Sequence, residues 1–154
     1  MNFQITGLPL APFQLYFSMD ADELARHGAM RLIADDDTSP CRVSLAHAAL
    51  GEELLLVSYE HQSAQSPYRA AGPVYVRKSA IEAKLAANEV PEQIRSRLLS
   101  VRGYDRGDLI VEAEVAEGAV IEATIEQFFR SDSVAYIHLH FARRGCYAAR
   151  VDRA

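Results

Sequence analysis

Val134-Ala135-Tyr136-Ile137-His138-Leu139-His140-Phe141, then Ala142-Arg143-Arg144-Gly145, then Cys146-Tyr147-Ala148-Ala149-Arg150-Val151-Asp152, is the stretch that decides the fold. Side chains alternate between the two sides of a strand, so Ala135, Ile137, Leu139 and Phe141 point one way while Tyr136, His138 and His140 point the other. The return segment alternates Tyr147, Ala149 and Val151 against Cys146, Arg150 and Asp152. Apolar faces of paired strands must coincide, which predicts an antiparallel hairpin whose three-residue loop, Arg143-Arg144-Gly145, ends on a glycine in the left-handed region. His138 then faces Arg150, and Tyr136, His138, His140, Cys146, Arg150 and Asp152 share one side. A four-residue loop would turn Cys146 and Arg150 toward the core, where an unpaired guanidinium is costly.

The rest of the chain is read outward from this hairpin. Ala119 to Phe129 places Ile121, Ile125, Phe128 and Phe129 on one helical stripe, predicting a helix laid on one side of the sheet. Before it, Leu99 to Tyr104 and Leu109 to Val115 flank Asp105-Arg106-Gly107-Asp108 as a second hairpin, with Gly107 expected to supply the positive φ of its turn. Further upstream, strands are expected over Phe3 to Thr6, Ala29 to Ala34, Cys41 to Leu45, Leu54 to His61 and Val74 to Arg77. Asp20 with Glu23 predicts a capped helix ending at Gly28; Ser79 with Glu82 predicts another carrying Ile81 and Leu85, and Pro91 opens a short third one. Strands fall in adjacent groups instead of alternating strictly with helices. The expected class is α+β, a largely antiparallel sheet with helices packed mainly on one face.

Composition bounds the function. The 154 residues are 49% hydrophobic and 24% charged, values of an ordinary globular domain, and no Pro/Gly/Ser linker or repeat divides them, so residues 1–154 read as a single domain. The net charge of −5 argues against nucleic acid and anionic membrane as partners, since both recruit basic surfaces. No basic, apolar leader opens the chain and no apolar run reaches membrane-spanning length. Cys41 and Cys146 lie in no CxxC spacing and are expected as free thiols, which with the missing leader points to the cytoplasm.

Three chemistries are open to the terminal hairpin. A thiol and imidazoles on one side permit nucleophilic catalysis, making His138, His140 and Cys146 the candidate catalytic residues. Two histidines at i and i+2 also suit a metal, with a thiolate or a third imidazole such as His61 completing the set. Arginines beside tyrosines suit an anion, and Tyr68, Arg69, Arg102 and Arg150 are the candidate ligand-binding residues for a small carboxylate or phosphate. The plain alternative is a half-exposed strand face with ordinary hydrogen bonds and a cysteine acting as a small hydrophobe. A Tyr- and Arg-rich surface would equally serve a protein-interaction or homo-oligomer module. The pattern indicates no particular cofactor, reaction or substrate.

Pro40-Cys41-Arg42-Val43-Ser44, Tyr59-Glu60-His61-Gln62 with Ser66-Pro67-Tyr68-Arg69, Leu98-Leu99-Ser100-Val101-Arg102 and Ala135-Tyr136-Ile137-His138 through Gly145-Cys146-Tyr147-Ala148-Ala149-Arg150 together resemble the domain-of-unknown-function family 1203. The similarity runs over nearly the whole chain. It implies no activity and transfers no catalytic residue.

Overall fold

The computed structural model describes all residues 1–154. In chain order the elements are β1 (Phe3–Thr6), α1 (Ala11–Gln14) running into a 3-10 turn (Leu15–Ser18), α2 (Ala21–Arg26), β2 (Met30–Ile33), β3 (Glu53–Gln62), β4 (Ala70–Arg77), α3 (Glu92–Arg95), β5 (Leu98–Tyr104), β6 (Ile110–Glu117), α4 (Ile121–Phe129), β7 (Tyr136–Phe141) and β8 (Tyr147–Arg153). The class is α+β with antiparallel sheets, as the grouping of strands predicts. There are, however, two sheets. One runs β1-β8-β7-β5-β6, the other β2-β3-β4.

The larger sheet has two buried sides. On one, Val101, Ile137, Leu139, Ala149 and Val151 pack with the α4 stripe Ile121, Ile125, Phe128 and Phe129. That is the helix-covered face the sequence predicts. The smaller sheet contributes Leu55, Val57, Val74 and Val76, which pack with Phe13 of α1, Leu24 of α2 and Tyr147 of β8. Helices therefore serve both sheets, and the face of the larger sheet that reads as polar is covered by the polar end of β3. His138 and His140, expected on a half-exposed face, are only 2% and 1% exposed. Alternation shows which residues share a side; it does not show that a second sheet closes over them.

Three local expectations fail, each for a tertiary reason. Ser79 and Glu82 cap no helix. The Glu82 carboxylate accepts from the Leu10 amide at 2.7 Å and the Ser79 hydroxyl donates to Glu52, so the capping groups are engaged elsewhere, and Ile81 is 79% exposed. Cys41 to Leu45 forms turns anchored by isolated bridges from Pro40 to His47 and Cys41 to Tyr75. In the β5–β6 turn the positive φ of 60° belongs to Asp108, while Asp105 Oδ1 accepts from the amides of Gly107 and Leu109. By contrast, Asp20 and Glu23 make the reciprocal capping box the sequence predicts.

The terminal hairpin keeps most of its predicted register. Ile137 pairs with Val151, His138 with Arg150 and Leu139 with Ala149, but His140 then pairs with Tyr147, leaving Ala148 as an unpaired bulge residue. Gly145 has the expected left-handed φ of 78°. The bulge shifts parity by one: Ala148 joins the α4-side core and Tyr147 moves to the histidine side. Arg150, paired with His138, stays off that core.

A three-histidine cluster between the sheets

β7 delivers His138 and His140 to the inter-sheet side, and β3 delivers His61 from the opposing sheet. Ring centroids of His61 and His140 are 5.1 Å apart, those of His61 and His138 6.3 Å, and those of His138 and His140 6.4 Å. One ring nitrogen from each lies within 4.8 Å of the other two. Tyrosines wall the cluster. Tyr147 stacks on His61 at 5.0 Å and 12°, and Tyr104 stacks on Tyr136 at 5.0 Å and 6° while standing 5.0 Å from His138.

The hydrogen bonding of these rings is incomplete. His140 Nδ1 lies 2.9 Å from the Gly145 carbonyl, which can only accept, so the proton sits on Nδ1 and Nε2 carries a lone pair. Nε2 of His140 and Nδ1 of both His61 and His138 are buried without any partner. Buried polar atoms are nearly always bonded, so three orphans in one slot need a reason. The histidines are also neutral. Burial pushes His138 down to about 3, with the neighbouring His140 and Arg150 adding to the effect, and pushes His140 down to about 4 against the pull of the Gly145 bond. His61 is lowered by burial and by the Arg102 charge.

Three neutral imidazoles with free lone pairs, one fixed in tautomer by a backbone carbonyl, are what a divalent transition metal requires. A tetrahedral ion with Zn–N bonds of about 2.0–2.1 Å holds its nitrogens about 3.4 Å apart, so closure by at most roughly 1.4 Å from the 4.8 Å limit would complete the set. Three protein donors leave a fourth position for water or a ligand. That is the pattern of catalytic rather than purely structural sites.

The other sequence candidates separate clearly. Cys146 is a free, partly exposed thiol just ahead of β8, its sulfur 4.0 Å from the Arg144 carbonyl and outside the cluster formed by the three histidines. No thiol–imidazole pair is assembled. Arg150 stays on the histidine side yet is held by Asp152 at 2.7 Å and lies 3.9 Å over the Tyr136 ring. Arg69 is paired with Glu60 at 3.0 Å on the surface, and Tyr68, 40% exposed, touches the site only through the edge of Tyr104. Arg102, opposite His138 on β5, has no carboxylate partner; it bonds the Ser100 hydroxyl at 3.3 Å and lies beside the Tyr104 hydroxyl.

Two features escape a sequence reading. Tyr104 and Tyr147 line the cluster, the first because β5 pairs with β7 and the second because of the bulge. A polar relay also closes one end: Gln62 donates to the Tyr136 hydroxyl at 2.9 Å, Tyr136 donates to Asp108 at 2.7 Å, and Ser66 donates to the Asp108 carbonyl at 3.0 Å. It ties the β3–β4 loop to the β5–β6 turn. Only the sequence separation of these residues hides it.

No helix is long and apolar enough to cross a membrane. No curated protein and no solved structure matches the chain. A family model described as "Protein of unknown function (DUF1203)" matches residues 38–153, a span that contains His61, Arg102, His138 and His140. The chain belongs to the DUF1203 family.

Proposed function

We propose that the chain is a metalloprotein in which His61, His138 and His140 bind one divalent transition-metal ion of the zinc class and leave a position open for a small anionic molecule. The observation that carries this is that three histidines from two sheets, each with a buried ring nitrogen that has no partner, bring one ring nitrogen apiece within 4.8 Å of one another. Neutral lone pairs are the form a metal needs, and burial already enforces it. When bound, such an ion supplies a Lewis acid that acidifies a coordinated water. An enzyme acting on a small anion is the reading this supports. The interaction-module alternative has less behind it, since Tyr104, Tyr136 and Tyr147 are buried within the chain. The two free thiols support a reducing, cytoplasmic setting.

The test is a titration of chelator-treated protein with Co2+, followed by visible absorption and by displacement with Zn2+. One equivalent per chain is expected, with H61Q, H138Q and H140Q each abolishing it while far-UV circular dichroism stays native. Folded wild-type protein that takes up neither ion below millimolar concentration refutes the reading, and the histidines are then polar filling between the sheets.

A further inference from the structure

We propose that Arg102 is the anion-recognising residue of this site and that the molecule it seats is a small organic carboxylate, bound through one oxygen at the open metal position and through the guanidinium fork. The proposal rests on the three-histidine metal reading and adds the substrate class. Arg102 is distinguished from Arg150 and Arg69 by what it lacks, and from Arg42, which has no carboxylate either, because the buried Arg42 guanidinium is already taken up by the carbonyls of Tyr147 and Pro40. Arg150 is neutralised by Asp152 and Arg69 by Glu60, whereas Arg102 has no carboxylate within ion-pair distance. A half-buried guanidinium without a counter-ion is an incomplete arrangement, since buried charge is ordinarily paired.

Position supports the assignment. β5 pairs with β7, so Arg102 stands beside His138 and Ser100 beside His140, and the guanidinium leans along the strand toward Ser100, across the face that carries both ligands.

The surroundings select the class of anion. The site offers one planar fork and flat aromatic walls in Tyr104, Tyr136 and Tyr147. A carboxylate is planar, singly charged and matched to one bidentate fork. Phosphate sites usually gather several donors, from a lysine or a glycine-rich loop at a helix start. Here the chain has two lysines: Lys78 is paired with Glu53, and Lys84 lies in the irregular segment between β4 and α3. The near-complete burial of His138 and His140 limits the guest to a few atoms.

The test uses Co2+-loaded full-length protein. Acetate, oxalate and inorganic phosphate are titrated separately while the visible d–d bands are recorded. Saturable band shifts are expected for the carboxylates, at least tenfold tighter than for phosphate. Arg102→Gln is expected to weaken carboxylate binding by about tenfold to a hundredfold, the range for losing a charged hydrogen-bond partner, with Co2+ affinity changed by less than twofold. Arg102→Lys, which keeps the charge and loses the fork, should fall between. Three results overturn the proposal with the metal site intact: bands indifferent to carboxylate, equal carboxylate affinity in Arg102→Gln, or tighter binding of phosphate. Failure to load Co2+ at all sinks the metal reading, and this proposal with it, by a separate signal.

Discussion

Acidifying the metal-free protein from pH 7 to pH 5 should remove about 4 kcal/mol of stability through His138 and His140 alone. In the folded chain these groups stay neutral down to about 3 and about 4. In the unfolded chain they protonate at the ordinary value near 6.5. Between those limits the unfolded state binds more protons, so stability falls as pH falls, and the loss begins at the unfolded value. At pH 5 the medium is about 1.5 pH units below 6.5, which costs about 2 kcal/mol for each histidine at roughly 1.4 kcal/mol per unit. That is a large share of the 5–15 kcal/mol typical of a domain. With a urea m-value of about 2 kcal/mol/M, the unfolding midpoint should drop by roughly 2 M. The assay is urea unfolding at pH 7 and pH 5 in the presence of a chelator, with the H138Q/H140Q double variant as control. His61, also lowered, adds to the loss with the same sign in both proteins. A wild-type drop under about 0.5 M, or an equal drop in the double variant, refutes the claim that these two rings are held neutral by burial.

Gly118→Ala should be among the most damaging single changes in the protein. A Cβ there would sit 2.7 Å from the Arg97 carbonyl and 2.8 Å from that of Arg95, and closer still to that of Ile94, so the α3 end and the start of α4 must separate; thermal melting of the variant should show a loss of several degrees or no folded protein. Gly145→Val meets no neighbour but must hold φ near 78°, which costs about 1–3 kcal/mol, and Gly145→Asn should recover much of it; equal stability of Val and Asn variants by urea unfolding contradicts the left-handed assignment. Ile125→Ala removes a fully buried side chain of the α4 stripe and should cost about 2–5 kcal/mol in the same assay, with an unchanged midpoint showing that α4 does not anchor the core.

What the sequence made legible was local and periodic. Asp20 with Glu23 satisfies two backbone amides within one turn, and nothing distant competes, so the motif reads correctly. Ser79 with Glu82 carries the same pattern and fails because Glu52 and the Leu10 amide, far off in sequence, claim its side chains. Alternation placed His138, His140 and Arg150 on one side, because period two is a property of any strand. It could not show that β3 belongs to a separate sheet, nor that His61 would close over His138 and His140, since that depends on pairing across long stretches of chain. Of the three arginines among the ligand-binding candidates, only Arg102 is left without a carboxylate partner; Glu60 and Asp152 had to be seen beside Arg69 and Arg150 before the difference emerged.

The proposed ligand donors belong to different sheets: His61 hangs from the three-stranded one, and His138 and His140 from the five-stranded one. The gap between the sheets is therefore the bite of the site. Any change that moves them, such as trimming Leu55 or Val74 in the packing that includes Tyr147, resizes that bite without touching a donor. A bound ion would act in return as a rivet joining residues 61 and 138 across the interval between them, most useful where the packing is loosest. If the proposed ion binds, affinity and stability become one adjustable quantity. A library of conservative substitutions among the residues around Tyr147, sorted by melting temperature, should come out in nearly the same order when sorted by metal retention.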